Sequence, residues 1–205
     1  MKKIMFALWL GCTSVAMTSC KDNEKDPRPA SESVPNITSL TATSTISQAD
    51  ARNAAINPTV SFTVNVTGPS IDRVEAIEVY KSFRGIVANT QGQNVLSTLP
   101  RVLVRTIPPV QTTIDITLND LVANMQRRGT AAGASITAPL SPLTRASLTA
   151  GATGTPLANL RESFIFTYEI LMKDGRRIIL TPTSGGVVSG AQTSAPFAAI
   201  VTIGS

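Results

Sequence analysis

No histidine occurs anywhere in this chain of 205 residues. That excludes imidazole general bases, histidine metal ligands and the one side chain whose ordinary pKa lies near neutrality. Only two cysteines occur, Cys12 and Cys20, and both lie at the very start. The region after Cys20 therefore forms no disulfide and offers no thiol nucleophile, so a fold there rests on its apolar core. The single tryptophan, Trp9, is also in the leading segment.

That leading segment is legible. Met-Lys-Lys precedes an almost wholly apolar run from Ile4 to Leu10. A short basic start followed by an apolar run is the layout of a secretory signal. The run to Ala16 is broken by Gly11, Thr13 and Ser14, and a lasting transmembrane helix needs about 20 apolar residues. Met17-Thr18-Ser19-Cys20 places compact residues before a cysteine. This resembles the lipobox of lipoprotein precursors. The resemblance implies cleavage after residue 19 and lipidation at Cys20, with acyl chains that hold the protein on a membrane. Cys12 is the competing site, but Trp9 would stand three residues before it, and the apolar run would be very short.

The stretch 20–35 reads as a flexible tether. Lys21-Asp22-Asn23-Glu24-Lys25-Asp26 is charged, and Pro27, Pro29 and Pro35 break regular structure. A lysine and acidic residues directly after the lipidated cysteine resemble the surface-export signal of Bacteroidetes-type lipoproteins. Residues 36–205 then suit one domain. Loss of Lys2 and Lys3 with the signal leaves 16 basic against 13 acidic residues, a net charge of +3. That is too mild for a nucleic-acid partner. Arg127-Arg128 and Arg176-Arg177 are isolated pairs and read as solvated turn residues.

The body reads as strands. In Thr59–Gly68, Val60, Phe62, Val64 and Val66 alternate with polar residues, the mark of a half-buried strand. Ser70–Phe83 predicts a second strand, with Ile77 and Val79 inward and Glu78 and Tyr80 outward. Arg101–Ile107 and Val110–Leu118 predict two more, the latter with Ile114, Ile116 and Leu118 on one face. A short strand is expected at Ile37–Ala42, and a last one at Phe197–Ile203, with Phe197, Ala199, Val201 and Ile203 in line. Asn119–Gln126 predicts one or two helical turns capped by Asn119 or Asp120. Arg127–Thr155 is rich in Ala, Gly, Ser, Thr and Pro and reads as a long flexible loop, with room for a short strand at Ala134–Ala138. Ser163–Lys173 alternates again, with Phe164, Phe166, Tyr168 and Ile170 on one face. Asp174-Gly175 then predicts a tight type I′ hairpin into Arg176–Thr181. The expected class is an all-β antiparallel sandwich of about seven to eight strands with one short helix and a long flexible loop.

Four ordered strings carry a family resemblance: Val74-Glu75-Ala76-Ile77-Glu78-Val79-Tyr80; Thr113-Ile114-Asp115-Ile116-Thr117-Leu118-Asn119-Asp120-Leu121; Ser163-Phe164-Ile165-Phe166-Thr167-Tyr168-Glu169-Ile170 with Lys173-Asp174-Gly175-Arg176; and Ser194-Ala195-Pro196-Phe197. Together they resemble Bacteroidetes surface lipoproteins with immunoglobulin-like domains, of the kind encoded beside starch-utilisation-type (Sus) outer-membrane importers. The resemblance covers Val60 to Ile203. It implies an immunoglobulin-like sandwich, lipid-anchored at the outer membrane and exposed at the cell surface. It implies no catalytic site. Longer relatives are expected to continue past Phe197 into a further domain.

Chemistry is sparse. The carboxylates available for paired acid–base work are Glu75, Glu78, Asp115, Asp120, Glu162, Glu169 and Asp174, and nothing in the chain brings two of them together. A serine nucleophile would need a lysine partner, and the lysines left after the signal are Lys21, Lys25, Lys81 and Lys173, of which Lys21 and Lys25 lie in the tether and Lys173 abuts a turn. No calcium loop and no phosphate-binding glycine motif is present. No catalytic residue, metal or cofactor is expected. Tyr80 and Phe83, beside Arg84, form the one candidate ligand platform, suited to a glycan. The expected function is a non-enzymatic, membrane-anchored envelope lipoprotein, an accessory or interaction module with other outer-membrane proteins as partners. The alternative is a surface glycan-binding module of a nutrient-uptake system.

Overall fold

The computed structural model describes residues 36–39, 43–68, 70–151, 160–179 and 199–204. All lie within one compact unit, Val34–Ser205. Strands β1 (Asn36–Ser39) and β2 (Thr43–Ser47) lead into the short helix α1 (Gln48–Arg52). Then come β3 (Thr59–Thr67), β4 (Val74–Ala88), β5 (Asn94–Thr98), β6 (Val102–Ile107) and β7 (Thr112–Thr117). Helix α2 (Leu118–Val122) follows, with β8 (Gln126–Arg128), β9 (Ala134–Ser135) and β10 (Leu140–Pro142) after it. The last strands are β11 (Ser163–Met172), β12 (Arg177–Ile179) and β13 (Ala199–Gly204).

The strands form open, sandwich-like sheets, so the all-β reading holds. A three-stranded sheet runs β1-β3-β7. An eight-stranded sheet runs β2-β13-β11-β4-β5, with β12 on β11 and β6 and β9 on β4. β8 and β10 pair with each other. The chain enters the small sheet through β1, antiparallel to β3, and the large sheet through β2, parallel to β13. The alternation that marked the strands also fixes the core. Val60, Phe62, Val64 and Val66 of β3 and Ile114 and Ile116 of β7 are buried. So are Ile77 and Val79 of β4, Phe164, Phe166, Tyr168 and Ile170 of β11, and Ala199, Val201 and Ile203 of β13. The rings of Phe62 and Phe166 meet across the two sheets with centroids 4.6 Å apart. Phe197 lies outside the described residues.

Four expectations change. The described strands exceed seven or eight: β2, β8 and β10 are added elsewhere, and β4 is long enough to pair with β11 on one side and with both β5 and β6 on the other. Helix α2 is capped two residues earlier than Asn119: the Thr117 hydroxyl accepts from the Asp120 amide at 3.3 Å and donates to its carboxylate at 2.6 Å.

The excursion after Arg127 is not a loose loop as far as Gly151. Leu143 and Leu148 enter the core. Gly129 donates to the Pro139 carbonyl and Leu143 to the Met125 carbonyl. Arg145 donates to the Ala51, Asp50 and Asn53 carbonyls at the end of α1. Small polar residues look like a loop in sequence because their few anchors are widely spaced.

The fourth change is the hairpin. Gly175 has φ +83°, but Asp174 does not enter positive φ. Gly175 donates to the Met172 carbonyl, and Met172 donates to Arg176. This is a three-residue loop closed by a left-handed glycine, not a type I′ turn. The pairing Leu171↔Arg177 is one residue away from what a two-residue loop would impose.

Candidate functional site

That one-residue difference builds the main polar site of the large sheet. Side chains alternate between the two faces of a strand, so a slip of one residue exchanges them. A two-residue loop would set Arg177 beside Met172, toward the core. The observed register sets it on the outer face, while Ile178 packs inward.

On that outer face Glu78 of β4 stands directly opposite Glu169 of β11. Two carboxylates so placed repel each other. Arg177 resolves this by bonding both: its guanidinium donates to each oxygen of Glu78, one at 3.0 Å, and to Glu169 at 3.0 Å. Arg101 pairs with the other oxygen of Glu169 as an ion pair without hydrogen-bond alignment. Its guanidinium also lies over the Tyr80 ring, 4.4 Å from the centroid, a cation–π contact. The Tyr80 hydroxyl donates to Glu78 at 2.7 Å. The bonds from Arg177 and Tyr80 hold the Glu78 carboxyl below its ordinary pKa, and the same Glu78 pushes the Tyr80 phenol up.

The sequence-predicted site residues do not converge. Tyr80 is half-buried and belongs to this cluster. Arg84 shares its face further along β4 and donates to the Ser163 hydroxyl at 3.1 Å. Phe83 points to the other face and is fully buried against Phe164, with centroids 5.3 Å apart. Phe83 is thus a core residue, and no three-residue platform exists at Tyr80, Phe83 and Arg84. Cys20 and Cys12 lie outside the described residues. The expectation that no two carboxylates meet fails at Glu78 and Glu169. Strand phase places both outward, but only the β4–β11 register makes them neighbours.

A second ionic site was also missed. Arg127, read as a solvated turn residue, is 2% exposed, and Glu162 is fully buried. Arg127 donates to Glu162 at 2.9 Å and to the Ser147 carbonyl. Glu162 also accepts from the Thr149 amide at 2.9 Å and the Ile86 amide at 3.4 Å. Burial pushes the Glu162 carboxyl up, and the Arg127 charge and the two amides only partly offset it. The site is closed, and it clamps the excursion to β4 and the start of β11.

Among the described residues, no group of histidine, cysteine, aspartate and glutamate has the makings of a metal site. No helix among them is long and apolar enough to cross a membrane.

No protein-family model matches the chain, and no curated protein matches it. Among solved structures the chain is similar to Spo0M, a sporulation control protein from Bacillus subtilis, at 12% identity and a TM-score of 0.27. The match covers 74% of this chain and 51% of that one, so the chain spans about half the length of this neighbour. A likeness of that degree carries no argument about fold family or function.

Proposed function

We propose that the protein is a non-enzymatic, lipid-anchored lipoprotein of the outer membrane, displayed at the cell surface as an accessory or interaction module, with an immunoglobulin-like domain. One observation carries the non-enzymatic reading. The two carboxylates that meet on the outer face, Glu78 and Glu169, are closed off by two arginines. A glycosidase needs one carboxyl with a raised pKa to act as acid, and Glu78 is shifted the other way.

The immunoglobulin-like reading is supported by strand order. Such domains set strands A, B, E and D in one sheet and C, F and G in the other. Here β1-β3-β7 runs in the order A-B-E, and β13-β11-β4 in the order G-F-C. The anchor is supported by Met17-Thr18-Ser19-Cys20. The glycan-binding alternative is weakened at Tyr80, because a sugar would stack on the ring face that Arg101 covers.

The deciding experiment labels cells with a radioactive or clickable palmitate. Cys20→Ser abolishes labelling, and Cys12→Ser leaves it intact. Protease added to intact cells removes the domain of the wild-type protein. Labelling that survives in Cys20→Ser overturns the anchor, and protection until the outer membrane is ruptured overturns surface display. An affinity-gel screen on polysaccharides tests the alternative: a retained wild type that is released by Tyr80→Ala would favour glycan binding.

A further inference from the structure

A small void lies between the β4–β5 hairpin and β8, beside the buried Arg127–Glu162 pair. It leaves the centre of a water-sized sphere about 10 Å³ to move in, room for one small occupant and no more. Two arginines line it, Arg127 and Arg128. The Nε–H of each is shut off from water and has no acceptor among the described residues. Their other bonds run elsewhere. Arg127 donates through its terminal nitrogens to Glu162 and to the Ser147 carbonyl. Arg128 donates from Nη1 to the Ala138 carbonyl at 3.2 Å. Native proteins rarely leave a buried donor without a partner, and two such donors at one void call for a shared acceptor.

The charges beside the void do not balance. Glu162 neutralises one guanidinium, and among the described residues no carboxylate pairs with Arg128. No carboxylate lines the void itself. Phe83, Ile86, Val87 and Leu99 give it a hydrocarbon wall, and the Ser97 hydroxyl is its one further polar side chain. A water molecule would accept from the arginines but would bring two hydrogens of its own. Among the lining side chains only Ser97 has an oxygen to receive them, and the backbone of Gly85, Ile86 and Val87 is paired with β5. A monatomic anion accepts from every side and brings no hydrogen. It also supplies the missing negative charge where an apolar wall strengthens its attraction to both guanidiniums.

We propose that this void binds a single halide ion, chloride in ordinary solution, held by the Nε–H groups of Arg127 and Arg128 with the Ser97 hydroxyl as a third donor. The ion ties β8, at the start of the excursion, to the β4–β5 hairpin. The proposal goes beyond the lipoprotein reading and stands without it, because it concerns the domain whether or not the chain is anchored. Sulfate and phosphate are too large for the void, so size selects the ion as well as charge.

The full-length protein is crystallised in sodium bromide, and the anomalous scattering of bromine locates the ion. A bromide peak lies in the void, in contact with both Nε atoms. In solution, chlorine NMR shows a chloride line broadened by the protein, and bromide reverses the broadening while sulfate at equal ionic strength does not. Arg128→Met keeps the carbon stem of a half-buried residue and removes one donor with its charge, so chloride affinity falls about tenfold or more. Chloride raises the urea midpoint of the wild type along a saturating curve, against gluconate of equal ionic strength, and this rise is lost in Arg128→Met. The crystal and the wild-type solution measurements carry the test by themselves if Arg128→Met does not fold. A void filled by water without a bromine signal, no chloride broadening, or undiminished broadening in Arg128→Met would each overturn the proposal. So would a bromide peak without a chloride-dependent midpoint, the mark of an adventitious ion only.

Discussion

Arg127 and Glu162 meet with side chains 2% and 0% exposed, whereas Arg177 and Arg101 keep 47% and 41% of theirs in water as they reach Glu78 and Glu169. Both sites join arginine to glutamate, yet their energetics differ. The buried pair has given up hydration on both partners, which its mutual attraction and extra hydrogen bonds barely recover. Its value lies in position: only one placement of the excursion satisfies Glu162, Arg127, Thr149 and Ser147 at once. In the outer cluster the Glu169 carboxylate is buried, at 3% exposed, but its arginines stay in water, where solvent and salt screen them. The cluster's task is to make two facing carboxylates tolerable on adjacent strands.

Breaking each site separately tests the contrast. Removing one buried partner strands the other charge, so Arg127→Met or Glu162→Leu costs about 3–5 kcal/mol by urea unfolding. The double variant recovers to near the wild type or above it. Phe166→Ala serves as the apolar yardstick, with a cost of about 3–5 kcal/mol and no partner that restores it. A double variant as unstable as the singles would show that the pair is a net stabiliser.

Gly129→Ala measures how firmly the excursion is held. The glycine has φ +63°, and an added Cβ would lie 2.5 Å from the Ala134 Cβ. An ordered excursion loses about 1–3 kcal/mol on this change, whereas a loose one would lose nothing measurable.

The smallest effect is in pH, and it has opposite signs at the two sites. Glu78 has a lowered pKa in the folded state, so its contribution to stability is present above the ordinary value of 4.5 and is lost as pH falls below it. Glu162 has a raised one, so its contribution is present below 4.5 and is lost as pH rises through the folded value. Arg177→Met reduces the Glu78 dependence, with the Tyr80 bond left in place, and NMR titration shows the Glu78 carboxyl moving up. High salt reduces the Glu78 effect more than the Glu162 effect. Equal salt sensitivity at the two sites would remove the distinction between them.

The core was legible because period two survives in β3, β7, β11 and β13, and each phase assignment there rests on several residues acting together. The polar sites were not. Glu78 and Glu169 lie far apart in sequence, and their meeting depends on the β4–β11 register, which no local pattern encodes. Arg177 depended on a single residue of loop length, Lys173, before Asp174. A dipeptide that tolerates positive φ does not say whether one residue or two adopt it. Arg127 looked solvated because arginine usually is, and its partner is contributed by a segment beyond the whole excursion. Phe83 was misplaced because the sequence pattern ended the strand there, whereas β4 continues to Ala88.

The parallel ladder between β2 and β13 has a mechanical meaning. Thr43 through Ser47 of β2 lie beside Ile200 through Gly204 of β13 in the same direction. A pull on the chain before β2, opposed by a hold on the chain after β13, runs along both strands and drags them past each other. Every hydrogen bond of the ladder then bears load at the same moment, instead of opening one by one as in an unzipped hairpin. Pulled at the link into β2, the domain thus meets a shear clamp before its core opens.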